Sequence, residues 1–263
     1  MHSANCGVAG RESADVPGHP GGRIGIPFPF AAGRRSLRGV LPRKSWRLEN
    51  VLSATSTVAL AWFVSLAAVS LLAAGLRQRG VELPALVPLI AVALGFHGTI
   101  LLSAQLLVRR EHRTWREAFG LDRAPGRALG LALGSLLVVA PAVYGSHVGM
   151  GALLRALGQE PTSQSAIDLL VQSHAWGRLA IGVFAVLLAP AAEEVLFRGL
   201  FFTTLRDAGF PRLAWIGTAV AFGAIHANLA AFVPLSLFGG YLAWLYWRTG
   251  NLLAPVVAHA VFN

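Results

Sequence analysis

The sequence predicts an all-α polytopic membrane protein, a bundle of about seven transmembrane helices with a polar site in its interior. Hydrophobic residues make up 55% of the chain and charged residues 13%, whereas a soluble domain carries about 25% charged residues. Apolar runs recur that approach the roughly 20 residues a helix needs to cross a bilayer. Two adjacent glutamates, Glu193 and Glu194, lie inside one of these runs.

Three parts follow from composition: a disordered cytosolic tail over 1–45, N-terminal transmembrane helices and loops over 46–174, and a C-terminal membrane domain over 175–263. The tail is rich in Gly, Pro, Ser and Arg without sustained periodicity, which is typical of disorder. The segment 160–176 is interpreted as a polar or interfacial loop. Helices are predicted near 51–76, 85–108, 128–150, 178–205, 212–228, 229–247 and 251–263.

The net charge of +10 does not indicate a nucleic-acid partner, because the basic residues cluster in particular loops. Clusters over 34–47 and 109–123 flank the first predicted helical hairpin, and both are expected in the cytosol by the positive-inside rule. This places the N-terminus in the cytosol. An Arg-rich composition with a single lysine, Lys44, favours a bacterial inner membrane protein. The lone Cys6 excludes an internal disulfide and a cysteine-based metal cluster.

Three short polar patterns lie on separate predicted helices: Glu193 to Gly199, Phe222 to Ala227, and His259 to Asn263. Ionised groups in hydrocarbon are costly, so intramembrane acids indicate a functional site. Three pairs are four residues apart and share a helix face: Glu194 and Arg198, Phe222 and His226, and His259 and Asn263. Arg198 is the predicted ion-pair partner of Glu194, whereas Glu193 has no same-face partner and is free for chemistry.

Hydrolysis is the chemistry that suits these groups. A carboxylate with a neighbouring imidazole can take a proton from water and return it to a leaving amine. A second histidine with an asparagine amide can donate hydrogen bonds to an oxyanion. Alternatively, Glu193, His226 and His259 could hold a divalent metal such as zinc. The residue types allow the metal-free mechanism equally.

The ordered series EExxxR, FxxxH and HxxxN resembles the CPBP family, the type II CAAX prenyl endopeptidases and Abi-type, bacteriocin-processing membrane proteins, over 175–263. The resemblance implies that Glu193 activates water with help from His226. It implies that His259 and Asn263 bind the oxyanion, while Glu194 and Arg198 form a supporting pair. Phe222 is expected to position the site. The implied substrate is a peptide or lipidated protein at the bilayer, such as a prenylated CAAX-type peptide or a bacteriocin-like precursor.

Two other classes fit the same sequence: a non-catalytic bacteriocin-immunity or scaffold protein of this fold, and a transporter that relays protons through its acidic pair. A transporter should show internal repeats with broken helices, and no convincing repeat is visible. His97, inside the second predicted span, is interpreted as an interhelical packing residue with a satisfied hydrogen bond. The H-E-x-x-H motif of zinc membrane proteases is absent.

Overall fold

A computed structural model of the chain describes residues 46–162 and 165–263. These residues fall within one compact unit. The predicted disordered tail, 1–45, lies outside the described residues. The regular structure of the described part is entirely helical, with no strand in it. The all-α prediction is therefore confirmed for this part of the chain.

The helices fall close to their predicted positions, and two short ones are additional. We number them α1 Leu48–Gln78, α2 Leu86–Arg110, α3 Trp115–Phe119, α4 Pro125–Ala156, α5 Ser165–Gln172, α6 Ala175–Asp207, α7 Pro211–Ala224, α8 Leu229–Thr249 and α9 Leu253–Phe262. The eight residues of α5 correct the prediction of a loop over 160–176. The apolar run in this segment is too short for the sequence pattern to distinguish a short helix from a loop.

Five helices of the described part, α1, α2, α4, α6 and α8, are long and apolar enough to cross a membrane. The other two predicted spans are shorter: α7 has 14 residues and α9 has 10. At 1.5 Å per residue these reach roughly 21 and 15 Å, well below the roughly 30 Å of a bilayer's hydrocarbon core. The prediction of about seven spans is thus corrected to five candidate spans.

The long helix α6 is not a regular α-helix along its whole length. It widens into π-helical turns over Phe184–Leu188 and again over Val195–Phe202. Between them lies the regular segment Ala189–Glu194, with a proline, Pro190, near its start. Proline lacks the N–H that a regular helix would donate, and π turns often accompany functional sites in helices. The two wide turns therefore bracket the glutamate pair.

Helix α8 lies at the centre of the bundle. In an 18-residue apolar stretch of α8, 56% of the residues are buried, compared with 6% in the corresponding stretch of α1. It packs against α7, α4 and α9, while α1 packs mainly against α2 and the middle of α6 contacts α2 and α9. Gly239 lets α8 approach α7 closely, because a Cβ there would lie 3.1 Å from the Ala219 backbone. The three helices that carry the polar patterns, α6, α7 and α9, therefore all contact this central helix.

The loop that follows α3 is hydrogen-bonded to the turn between α8 and α9, at one end of the bundle. The side-chain amide of Asn251, which is fully buried, donates hydrogen bonds to the carbonyl oxygens of Leu121 and Arg123 at 3.2 and 3.0 Å. Thr114 caps α3 in a reciprocal arrangement with Glu117. The Thr114 backbone N–H, and then its hydroxyl, donate to that carboxylate and lower the pKa of Glu117.

Gly120→Ala is expected to destabilise this end of the bundle. Gly120 has a φ of +66°, and a Cβ there would overlap the carbonyl oxygen of Gly250. Gly158→Ala is the matched control, because Gly158 has a φ of +75° but nothing within 4 Å of a Cβ. Both variants incur the left-handed backbone cost of about 1 kcal/mol. Thermal unfolding in detergent should show a clearly larger loss for Gly120→Ala, and equal losses would contradict the close contact.

Candidate active site

The regular middle segment of α6 carries both predicted acids into the protein interior. Glu194 is completely buried and Glu193 is 8% exposed. The surrounding residues of α6 are apolar, so neither carboxylate reaches water along its own helix. Carboxylates in such a place require partners from neighbouring helices. Both have such partners, and His259 on α9 contacts both carboxylates.

Glu194 forms the predicted pair with Arg198 and reaches further than predicted. Its Oε1 accepts from Arg198 Nη1 at 2.8 Å and from His259 Nδ1 at 2.9 Å. Arg198 Nη2 donates to the carbonyl oxygen of Gly239 at 2.8 Å. One fully buried ion pair thereby joins α6, α8 and α9. The pair predicted from the i,i+4 spacing is confirmed, and it also orients a histidine.

An aromatic ring connects the two histidines of the later patterns. The centroid of Phe222 lies 5.1 Å from that of His226 and 5.4 Å from that of His259. The guanidinium carbon of Arg198 lies 4.8 Å from the same ring's centroid, within cation–π range. Phe222 is fully buried. Its ring therefore lies in contact with both imidazoles, and its role in positioning the site stays a prediction.

Glu193 lies between imidazoles from different helices. Its Oε1 is 3.3 Å from His97 Nε2 on α2, and its Oε2 is 3.9 Å from His259 Nε2 on α9. His226 also interacts electrostatically with this carboxylate. Oε2 is buried and has no hydrogen-bond partner among the described residues. The structure thus gathers Glu193, His226 and His259, which the sequence placed on three separate helices.

The backbone assigns a tautomer to the histidines. His226 Nδ1 lies 2.7 Å from the Phe222 carbonyl oxygen, and His97 Nδ1 lies 2.8 Å from that of Ala93. A carbonyl oxygen only accepts, so in both rings Nδ1 carries a proton. Nε2 of each neutral ring then presents a lone pair. His259 likewise uses its Nδ1 proton on Glu194, so its Nε2 can donate only when the ring is an imidazolium.

The charges of the cluster nearly balance. Glu193 and Glu194 contribute two negative charges when ionised, and Arg198 contributes one positive charge. One extra proton on a neighbouring imidazole, His97 or His259, makes the cluster neutral. Neutrality matters in this position because an uncompensated charge within hydrocarbon is costly.

Asn263 occupies a different position from the other predicted site residues. Its side chain is exposed, and Nδ2 donates to the carbonyl oxygen of Ala185 in the first π turn at 2.9 Å. The amide nitrogen carries two hydrogens, so one donor remains beyond this bond. The structure does not bring Asn263 into contact with Glu193.

The described residues do not fit a metal site. No group of three or more His, Cys, Asp or Glu side chains within 46–162 and 165–263 has the arrangement that could hold a metal ion. The contacts between acids and imidazoles are pairwise: Glu193 lies 3.3 Å from His97 and 3.9 Å from His259, and Glu194 lies 2.9 Å from His259. We therefore derive no step of the chemistry through a metal.

Comparison with known proteins identifies the region that carries this site. Residues 175–263 match the family model "Type II CAAX prenyl endopeptidase Rce1-like". This region is similar to that family. The Rce1-like region contains every site residue that the three sequence patterns supplied. The resemblance inferred from those patterns is confirmed.

A curated relative agrees with the Rce1-like assignment. The Bacillus subtilis (strain 168) protein named "Putative membrane peptidase YdiL" is 30% identical over 107 residues, 41% of this chain. The matched part spans 42% of that protein's length. No solved structure matches this chain.

Two contributors to the site were not assigned to it from the sequence. His97 was interpreted as a packing residue with a satisfied hydrogen bond. It does make an interhelical hydrogen bond, but the acceptor is Glu193. The Gly239 carbonyl oxygen that receives Arg198 belongs to the backbone, which carries no sequence signal. A histidine in an otherwise apolar span was the available signal for His97.

Proposed function

We propose that this chain is an intramembrane endopeptidase that hydrolyses a peptide bond of a membrane-associated substrate. The observation that carries the proposal is the buried Oε2 of Glu193, which lacks a hydrogen-bond partner among the described residues and faces an imidazole 3.9 Å away. A carboxylate oxygen in this state is a base that can accept a proton from water. The match of residues 175–263 to an endopeptidase family model supports the same reaction.

The proposed reaction begins with a water molecule next to Glu193 Oε2. As the water oxygen attacks the peptide carbonyl carbon, its proton passes to the carboxylate. The Nε2 lone pair of His226 orients the second hydrogen of the water. The carbon–nitrogen bond then breaks, and the proton held by Glu193 is delivered to the leaving amine. Glu193 returns to its ionised form, so the chain is unchanged after one turnover.

Stabilisation of the oxyanion is assigned to His259 and Asn263. Since His259 donates its Nδ1 proton to Glu194, its Nε2 serves as a donor when the ring is an imidazolium. The remaining N–H of Asn263 is the second donor, once substrate draws the end of α9 toward the site. Such preorganised donors typically contribute about 10²–10³-fold to the rate.

The proposed substrate is a peptide or lipidated protein at the bilayer. A prenylated CAAX-type peptide fits the family assignment, and a bacteriocin-like precursor is the alternative for a bacterium. In this proposal the enzyme lies in the inner membrane with its N-terminus in the cytosol. The five candidate spans and the Arg-rich segments support that orientation. A seven-helix bundle, with α7 and α9 as partial spans, encloses the site.

His226→Ala and His259→Ala are expected to lower kcat/KM for a fluorogenic CAAX-type or precursor-derived reporter peptide by about 10²-fold or more. His226 is half-buried at the end of α7, so its removal should leave the fold intact. Both variants are compared with wild type as purified protein in detergent, with circular dichroism as the measure of folding. His147→Ala, on α4 outside the cluster, is the matched control and should cleave normally.

Three results would contradict the proposal in whole or in part. Undiminished cleavage in both folded variants would remove the proposed chemistry, and a wild-type protein that cleaves none of the reporters would favour the scaffold alternative. Activity lost on chelation and restored by stoichiometric zinc would replace direct water activation with a metal mechanism.

A further inference from the structure

His97 contacts the proposed base from outside the family-matched region. It lies on α2, whereas the match covers 175–263. Helix α2 contacts the regular segment of α6 that carries the glutamates. His97 is buried, with 8% of its surface exposed. A second-span residue therefore reaches the carboxylate on which the proposed function rests.

The imidazole of His97 is held in one orientation. Nδ1 donates to Ala93, one turn earlier on its own helix, at 2.8 Å. The rings of Phe96 and Phe184 pack edge-on against it, with centroids 5.1 and 4.9 Å away and interplanar angles of 90° and 89°. Phe184 opens the first π turn of α6. These contacts direct Nε2 at Glu193 Oε1, 3.3 Å away.

One proton must lie between His97 and Glu193. The Nδ1 proton of His97 is already donated, so Nε2 carries a lone pair when the ring is neutral. A lone pair facing a carboxylate oxygen at 3.3 Å would be repulsive. The contact is attractive when the imidazole or the carboxyl carries a proton in that position. The hydrogen bond thus ties Oε1 to α2.

We propose that His97 is a positioning residue, which holds Oε1 of Glu193 so that Oε2 faces the attacking water. The terminal torsion of a glutamate is soft, and no hydrogen bond from α6 holds the Glu193 carboxylate, because Arg198 donates to Glu194 and Gly239. Without His97, either carboxylate oxygen could turn toward His259, which already lies 3.9 Å from Oε2. The water would then lose its aligned base. This inference rests on the proposed function and adds a residue from α2 to it.

The test compares His97→Phe with His97→Gln. Phenylalanine keeps a ring between Phe96 and Phe184 but removes both nitrogens. Glutamine places an amide N–H near the Nε2 position and can still donate to Oε1. We expect His97→Phe to lower kcat about 10²-fold with KM nearly unchanged, the size of effect that small misplacements of reacting groups produce. His97→Gln should recover most of that loss.

The measurements are kcat and KM for the cleaved reporter peptide, with thermal unfolding recorded for each variant. Thr99→Ala is the matched control, since Thr99 lies on the same helix and bonds only the Gly95 carbonyl oxygen of α2. A His97→Phe enzyme with normal kcat overturns the inference. The inference is also overturned if His97→Gln folds but has a kcat as low as that of His97→Phe. A hydrogen-bond donor at this position would then not account for the activity.

The design separates this inference from the proposed function. Wild type and Glu193→Gln are assayed first. If wild type does not cleave, or if Glu193→Gln cleaves as well as wild type, the proposed function fails and the role of His97 fails with it. If both behave as proposed and His97→Phe is unaffected, only the role of His97 is refuted.

Discussion

Glu193→Gln is expected to lower kcat for reporter cleavage by about 10³–10⁴-fold, which is the upper part of the range for general acid–base catalysis. Glutamine has nearly the same volume, so the packing around α6 should survive. Its amide cannot accept a proton from water. The neutral side chain also removes a buried charge, and the folded state should therefore keep or gain stability.

Glu160→Gln is the matched control, because Glu160 is exposed within the α4–α5 connection. This variant also removes one negative charge, but at a position outside the cluster, and it should leave kcat unchanged. Cleavage by Glu193→Gln at the wild-type rate would show that another group activates water. Loss of folded protein in the Glu193→Gln sample would instead assign a structural role to the carboxylate.

Arg198→Met is expected to produce the largest loss of stability. Arg198 is completely buried and bonds Glu194 and the Gly239 carbonyl oxygen. Methionine fills much of the same volume but leaves the Glu194 carboxylate with only His259 for compensation. Breaking a buried pair on one side typically costs about 3–5 kcal/mol. The free energy of unfolding, measured by denaturant titration in mixed micelles, should fall by an amount in this range.

The double variant Glu194→Gln/Arg198→Met tests whether the unpaired Glu194 carboxylate causes the loss of stability in Arg198→Met. Once both charges are removed, no buried charge remains uncompensated at this position. The double variant should be more stable than Arg198→Met alone, giving a coupling free energy of about 0.5–3 kcal/mol. Additive losses would show that the cost of Arg198→Met comes from packing against Phe222 and Phe197, not from the unpaired carboxylate.

The sequence predicted most helices of the described part because apolar runs bounded by Arg, Gly and Pro are strong signals in a membrane protein. It overestimated the number of spans, since hydropathy alone did not show that α7 stops at Ala224 and α9 begins only at Leu253. The short helix α5 has too few residues to give a clear periodicity.

The site was predictable where polar residues recur at helical spacing. The Glu194–Arg198 pair followed from residues four apart, and the meeting of Glu193, His226 and His259 followed from the cost of polar groups in hydrocarbon. The contact between His97 and Glu193 joins residues 96 positions apart. Periodicity within one helix cannot reveal such a contact. The π turns were also invisible, because they alter backbone spacing without changing which residues are apolar.

Because α6 contains π-helical turns, the number of residues before Glu193 determines the direction of its side chain as much as the composition of the span does. Each residue of a helix rotates the chain by about 100°. Deleting one residue within Phe184–Leu188 would relax the bulge and swing Glu193 and Glu194 around the helix axis relative to the preceding turns. The acids would then face hydrocarbon or the wrong neighbour, with every side chain still present. We infer that single-residue insertions and deletions in this stretch are tolerated far less well than apolar substitutions.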